Sequence, residues 1–172
     1  MDEPRIVLAP VASHDGPGLV AANLASIALH EPWVSPCRDR DAFEAYRAAC
    51  DGERKIGFIA RERASGAIIG VVNASEIVRG AFQSAYLGYY GMAGFEGRGL
   101  MREALALVIA ECFGPLGLHR LEANIQPANR RSLALVQALG FRNEGFSPRY
   151  LKIGGEWRDH ERWAILAEEW RR

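Results

Sequence analysis

The chain switches repeatedly between two hydrophobic periods, and the order of the switches predicts strands and helices interleaved from end to end. Arg5–Ala9 reads as a short strand. Gly18–His30 is an Ala/Leu-rich helical run, and Asp39–Cys50 is a second, with Asp39 or Asp41 placed to cap it. Between them Pro32 and Pro36 forbid one continuous helix. Lys55–Arg61 and Ala67–Val78 are β-rich and separated by a Ser65-Gly66 turn, and Tyr86–Met92 is aromatic and β-prone. In the helical segment Leu100–Cys112, Leu100, Ala104, Leu107 and Val108 fall at i, i+4, i+7 and i+8 on one face. Leu118–Gln126 is the next strand. Asn129–Leu139 reads as a helix with Val136 and Leu139 inward, ended by Gly140 as its C′ residue. Phe141–Ile153 and Trp157–Leu166 form a hairpin about Gly154-Gly155.

This order is that of an α/β protein. Its centre is the strand, helix, strand unit Tyr86–Gln126, which fits parallel strands joined by a crossover helix. No internal repeat or low-complexity linker interrupts the pattern, so residues 1–172 are expected to form one domain.

Composition narrows the function. Lys plus Arg and Asp plus Glu are 21 each, a net charge of zero. That argues against a protein built to neutralise nucleic-acid phosphates, and against a polybasic membrane binder. No apolar run is long enough for a membrane span, and the start carries no secretory pattern. Cys37, Cys50 and Cys112 make no CxxC, and His14, His30, His119 and His160 make no HExxH. Reduced thiols, a cytoplasmic location and no metal are the expectations.

Glycine is in excess, 18 of 172 against a usual share of about 7%. Gly88, Gly91, Gly94, Gly97 and Gly99 cluster where a strand ends and a helix begins. The first amides of a helix lack intrahelical partners and the dipole there is positive, so a pyrophosphate could lie against Gly97-Arg98-Gly99-Leu100, with Arg98 and Arg102 adding charge. A glycine-rich surface turn without a ligand is the alternative. There is no GxxxxGK[ST] run, and Arg102 stands where a GxGxxG fingerprint needs its third glycine.

Tyr86-Leu87-Gly88-Tyr89 followed by Glu96-Gly97-Arg98-Gly99-Leu100-Met101-Arg102-Glu103-Ala104-Leu105 resembles the acetyl-CoA motif Q/R-x-x-G-x-G/A of the GNAT N-acetyltransferases. Asn124, Pro127, Asn129, Ser132, Leu139-Gly140-Phe141 and Glu144-Gly145 resemble the next strand and helix of that superfamily. The tail from Tyr150-Leu151 to Gly155-Glu156-Trp157-Arg158-Asp159-His160 is similar to the RimJ/RimL branch, nearest its RimJ side. Strong resemblance covers residues 70–163. It implies a central mixed sheet whose parallel strands splay apart, flanked by helices, with acetyl-CoA as co-substrate. The implied cofactor residues are Tyr89, Tyr90, Gly91 and Met92 against pantetheine, then Gly97, Arg98, Gly99, Leu100, Met101 and Arg102 at the pyrophosphate, with Asn129 and Ser132 beyond. Glu96 and Met101 depart from the motif. The Glu96 side chain is expected to face solvent, since a carboxylate repels pyrophosphate, and the Met101 side chain to point away.

The implied acceptor is a protein N-terminal amine, a ribosomal-protein alanine by type. Chemistry agrees, because an α-amine with a pKa near 7.7–8 is partly neutral at pH 7, whereas a lysine amine near 10.4 needs a stronger base. Val136 stands where many members place an acidic tyrosine, which leaves Ser132, on the same helix face, as substitute. Asn129 and Ser132 read equally as a helix cap and its third residue. Glu122 is a candidate base or a ladder residue, and Tyr150 a candidate for orienting the amine or a half-buried aromatic. Trp33, Trp157 and Trp163 read as core or rim, Trp33 alternatively as acceptor-channel lining. A small amine as acceptor, a non-catalytic CoA-binding module and, more distantly, a dinucleotide oxidoreductase are the competing functions. Monomer and homodimer both remain open.

Overall fold

The computed structural model describes residues 3–170. Seven strands make one sheet: β1 (Ile6–Pro10), β2 (Lys55–Glu62), β3 (Ile68–Val78), β4 (Ser84–Gly91), β5 (Arg120–Ile125), β6 (Arg142–Ile153) and β7 (Glu156–Leu166), in the order β1-β2-β3-β4-β5-β7-β6. The helices are α1 (Gly16–Ala25), α2 (Ile27–His30), α3 (Arg40–Ala49), α4 (Leu100–Phe113) and α5 (Arg130–Ala138). Every neighbouring strand pair is antiparallel except β4 and β5, which α4 connects as a crossover.

The parallel pair is short. Ser84, Ala85 and Tyr86 face Arg120, Leu121 and Glu122, and beyond them β4 runs to Gly91 and β5 to Ile125 without pairing. The sheet is therefore open between two strands at its centre. Alternation sends Ala85, Leu87 and Tyr89 of β4 and Leu121, Ala123 and Ile125 of β5 to one face, where they pack with α4 and α5. Tyr86, Gly88 and Tyr90, with Glu122 and Asn124, point to the other. There α1 and α3 cover the first half of the sheet through Leu19 and Phe43 on Ile59 and Val71.

Two expectations need correcting. The buried stripe of α4 is wider than Leu100, Ala104, Leu107 and Val108. Leu105, Ile109 and Cys112 are also fully buried, while Leu107 is only half-buried. The helix packs across β1, β2 and β3, so the buried stripe takes in two adjacent positions in each of its middle turns, Ala104-Leu105 and Val108-Ile109. Each Leu or Ile removed from water there contributes about 2 kcal/mol. The run Gly18–His30 is not one helix, since Ser26 adopts φ −112° and ψ 12° and separates α1 from α2. Its hydroxyl is used elsewhere, as described below.

The ends follow local chemistry. Asp39 Oδ1 accepts from the Ala42 amide at 2.8 Å and caps α3. Gly140, with φ +86°, closes α5, its amide reaching the Gln137 carbonyl at 3.1 Å and the Phe141 amide the Val136 carbonyl at 3.0 Å. Gly154 and Gly155, both with positive φ, turn β6 into β7.

Candidate active site

The head of α4 is built from backbone. Gly99 is its N-cap, at φ +76°, and supplies no side-chain cap. The first amides of α4 thus face outward without a capping partner. A Cβ at Gly99 would meet only Arg5 Nη2, at 3.7 Å, so the backbone angle and not space demands glycine. Met101 does point away from the loop. It fills room left by glycines on the sheet: a Cβ at Gly70 would lie 2.3 Å from its sulfur, and one at Gly91 3.2 Å from its Cγ.

Arg98 differs from the expectation of free positive charge. Its guanidinium pairs with Glu62 on β2 and lies 5.5 Å over the Phe95 ring. Arg5 ties the loop to β1, bonding Glu103 at 3.0 Å and the Arg98 carbonyl at 3.2 Å. Arg102 is exposed and has no acidic partner among the described residues. Glu96 is exposed, but its Oε2 folds back to accept from the Gly94 amide at 2.6 Å. Amides of its own loop, its own N–H first, hold this carboxyl below its usual range.

At the opening in the sheet two hydroxyls meet. Tyr89 of β4 and Ser132 of α5 lie 2.7 Å apart, Oη to Oγ. Burial pushes the Tyr89 phenol up to about 12, against a smaller opposing effect of the serine bond. Val136 is fully buried one turn further along α5. A tyrosine hydroxyl therefore does reach Ser132, from the opposite wall of the gap. Asn129 Oδ1 accepts from the Ser132 amide at 3.2 Å, so the helix-cap reading of Asn129 holds, and its Nδ2 is left over.

The open end of β4 is braced from behind. Buried His30 lies with Nε2 2.8 Å from the Gly91 carbonyl, and Ser26 Oγ accepts from the Ala93 amide at 3.0 Å. A carbonyl only accepts, so Nε2 carries the proton. Burial lowers the pKa of His30 and keeps the ring neutral. The Tyr90 ring meets His30 edge-on at 5.0 Å. The break at Ser26 is what lets both side chains reach this segment. No local pattern signals the brace, since His30 and Gly91 are 61 positions apart.

Glu122 and Tyr150 belong to the other face of the sheet from Ser132. Glu122 Oε1 accepts from Arg120 Nε at 2.8 Å, and Arg120 also holds Glu144. A base role for Glu122 has to compete with that arginine. Tyr150 comes near His160, ring centroids 6.2 Å apart, and lies on the side of Tyr86. Burial first, then Tyr150, raises the Tyr86 phenol. Asn124 lies on the unpaired stretch of β5 with a buried Oδ1 that has no hydrogen-bond partner. Trp163 is core and Trp157 is 60% exposed. Trp33 is half-buried, and its neighbours Val34–Cys37, with Tyr46, Asn73 and Tyr90, line a cavity of about 350 Å³.

The arrangement is two-sided. Uncapped amides and a hydroxyl pair lie on the α4/α5 side, and carboxylate, phenol and amide groups lie on the other, with the gap between. Comparison with known proteins fits this plan. Residues 5–142 match the family described as acetyltransferase (GNAT) domain. The chain is 45% identical over 103 residues to the [ribosomal protein uS5]-alanine N-acetyltransferase of Escherichia coli, a match covering 60% of this chain and 53% of that protein. The chain spans about half the length of the curated relatives it matches. Mycobacterium smegmatis RimJ in complex with CoA-disulfide superposes with a TM-score of 0.87 at 31% identity, covering 95% of this chain and 83% of that one. A ribosomal-protein-alanine acetyltransferase from Vibrio fischeri gives 0.86 at 25% identity, covering 100% and 98%.

Proposed function

The chain belongs to the GNAT acetyltransferase family, and from that premise we propose that it transfers the acetyl group of acetyl-CoA to the α-amine of a protein N-terminus, of ribosomal-protein alanine type. The observation that carries the reading is the unpaired stretch of β4 and β5, with backbone donors and a hydroxyl pair on one side and unsatisfied polar groups on the other. Relatives whose names specify ribosomal-protein alanine support the acceptor.

Acetyl-CoA brings an activated thioester. The loop Gly97–Arg102 offers its pyrophosphate uncapped amides and the Arg102 charge. The edge of β4 that faces the gap at Tyr89, Tyr90, Gly91 and Met92, paired to β3 but not to β5, offers strand-like bonds to the pantetheine arm, held in place by His30 and Ser26, and Asn129 Nδ2 adds a donor. Ser132, steadied by Tyr89, donates its hydroxyl hydrogen toward the sulfur as that atom gains charge. On the other face Asn124 Oδ1 accepts from the incoming amine, while Tyr150 and Glu122 orient it. An α-amine is neutral often enough near pH 8 that this set needs no strong base.

Acetyl-CoA with synthetic Ala-initiated peptides tests the proposal, by thiol release and by the mass of the product. Absence of acetylation on any peptide rejects it. A small amine is the second reading, favoured by the cavity of about 350 Å³ beside Tyr90. Lys55 lies 5.0 Å over the Tyr46 ring in that cavity, a fixed cation that works against a polyamine there. The free thiols Cys37, Cys50 and Cys112 suit the cytoplasm, and no helix among the described residues is long and apolar enough to cross a membrane.

A further inference from the structure

Arg162 is placed as a receptor for negative charge on the acceptor side of the sheet. It stands on β7 opposite Asn124 of β5 and Gly145 of β6. Alternation along β5 and β7 puts it on the face of Glu122 and Asn124, away from α4 and α5. Three arginines around it are neutralised: Arg120 binds Glu122 and Glu144, Arg142 binds Glu144 and Glu169, and Arg158 binds Glu156. Arg162 is half-buried, its Nε is buried without a hydrogen-bond partner, and no acidic side chain pairs with it among the described residues.

The fold makes room for this guanidinium. Gly145 has φ +146°, and a Cβ there would stand 2.7 Å from Arg162 Nη2, so β6 gives up a side chain where the arginine lies. A partly desolvated cation without a partner is costly, and it is commonly matched by a ligand. We propose that Arg162 binds a carboxylate on the acceptor chain, supplied by an acidic side chain near the acetylated N-terminus. The inference rests on the N-terminal acceptor reading above.

Spacing gives the position. From the gap beside β5, across β7, to the guanidinium over β6 is roughly two strand spacings, about 10 Å. An extended peptide advances about 3.3 Å per residue, so a carboxylate on the third or fourth residue reaches Arg162 while the amine stays at Asn124.

The test is a panel of Ala-initiated peptides carrying Asp or Glu at positions two to six, each against its Asn or Gln counterpart, assayed for kcat/KM with the whole chain and with Arg162→Gln. In the unaltered protein the acid at position three or four is expected to raise kcat/KM about tenfold over its amide. In Arg162→Gln the ratio is expected to fall to about one. Both peptides of a pair report on the same enzyme sample, so partial unfolding of the variant cancels from the ratio. Turnover without an acid preference, or a preference that survives Arg162→Gln, overturns the inference alone. Failure of every peptide where a small amine is acetylated overturns the N-terminal reading, and the inference with it.

Discussion

Removing one oxygen, in Tyr89→Phe, separates two roles for the hydroxyl pair in the gap. Tyr89 sits 2.7 Å from Ser132, and burial pushes its phenol up to about 12. A thiol of the leaving kind has a pKa near 8.5. The difference is about 3.5 units, so handing the Tyr89 proton to a thiolate costs about 5 kcal/mol. That is too large for the pair to serve as net proton source, and it leaves Tyr89 the work of holding the Ser132 hydroxyl in place. A neutral hydrogen bond of this kind contributes about 1 kcal/mol, with similar consequences for stability and for orientation. Tyr89→Phe should therefore lower kcat roughly fivefold, leave the KM for acetyl-CoA within about twofold, and create no new limb in the pH profile. Steady-state kinetics from pH 6 to 10 measure all three. Loss of about a thousandfold in kcat together with a vanished alkaline limb would refute the reasoning, because Tyr89 would then be the proton source. Unchanged kcat would refute it from the other side.

The remaining predictions concern the groups around that pair. Ser132→Ala should lower kcat more than it raises KM, and an effect confined to KM reduces Ser132 to a binding group. Gly99→Glu should abolish acetyl-CoA binding in calorimetry, since it brings charge and bulk to the uncapped amides of α4. Gly99→Ala, which carries only the strain of φ +76°, about 1–2 kcal/mol, should bind more weakly yet measurably. Unchanged affinity in Gly99→Glu would put the pyrophosphate elsewhere. His30, whose pKa is lowered by burial, resists a second ring proton when folded where the unfolded chain takes one up. Its contribution to stability is complete above about pH 6.5 and is lost as pH falls from there through the depressed value. Melting temperatures between pH 5 and 8 should decline on the acid side more steeply in the unaltered protein than in His30→Gln, and equal slopes would contradict the brace at Gly91.

Much of this was legible in residues because local chemistry determined it. The glycine cluster marked the head of α4 since φ +76° at Gly99 excludes most side chains, and Asn129 and Gly140 bounded α5 through bonds made within one turn. What stayed hidden depends on strands far apart in the chain. The hydroxyl of Tyr89 reaches Ser132 across 43 positions, and Arg98 is diverted to Glu62 across 36. Neither partner is visible in a hydrophobic pattern. The break at Ser26 escaped for the same reason: the residues around it favour helix, and a tertiary bond from the Ala93 amide to its hydroxyl overrides them. The division of Ser132 from Glu122 and Tyr150 onto opposite faces follows from register, which only the folded sheet reveals.

Acetylation of an Ala-initiated peptide that also contains a lysine tests the central claim most directly, with the site read by fragment mass. The account predicts one acetyl group on the α-amine, dependent on acetyl-CoA and lost in Gly99→Glu. Acetyl on the lysine alone, or no transfer to the peptide by a chain that still binds acetyl-CoA, would contradict it.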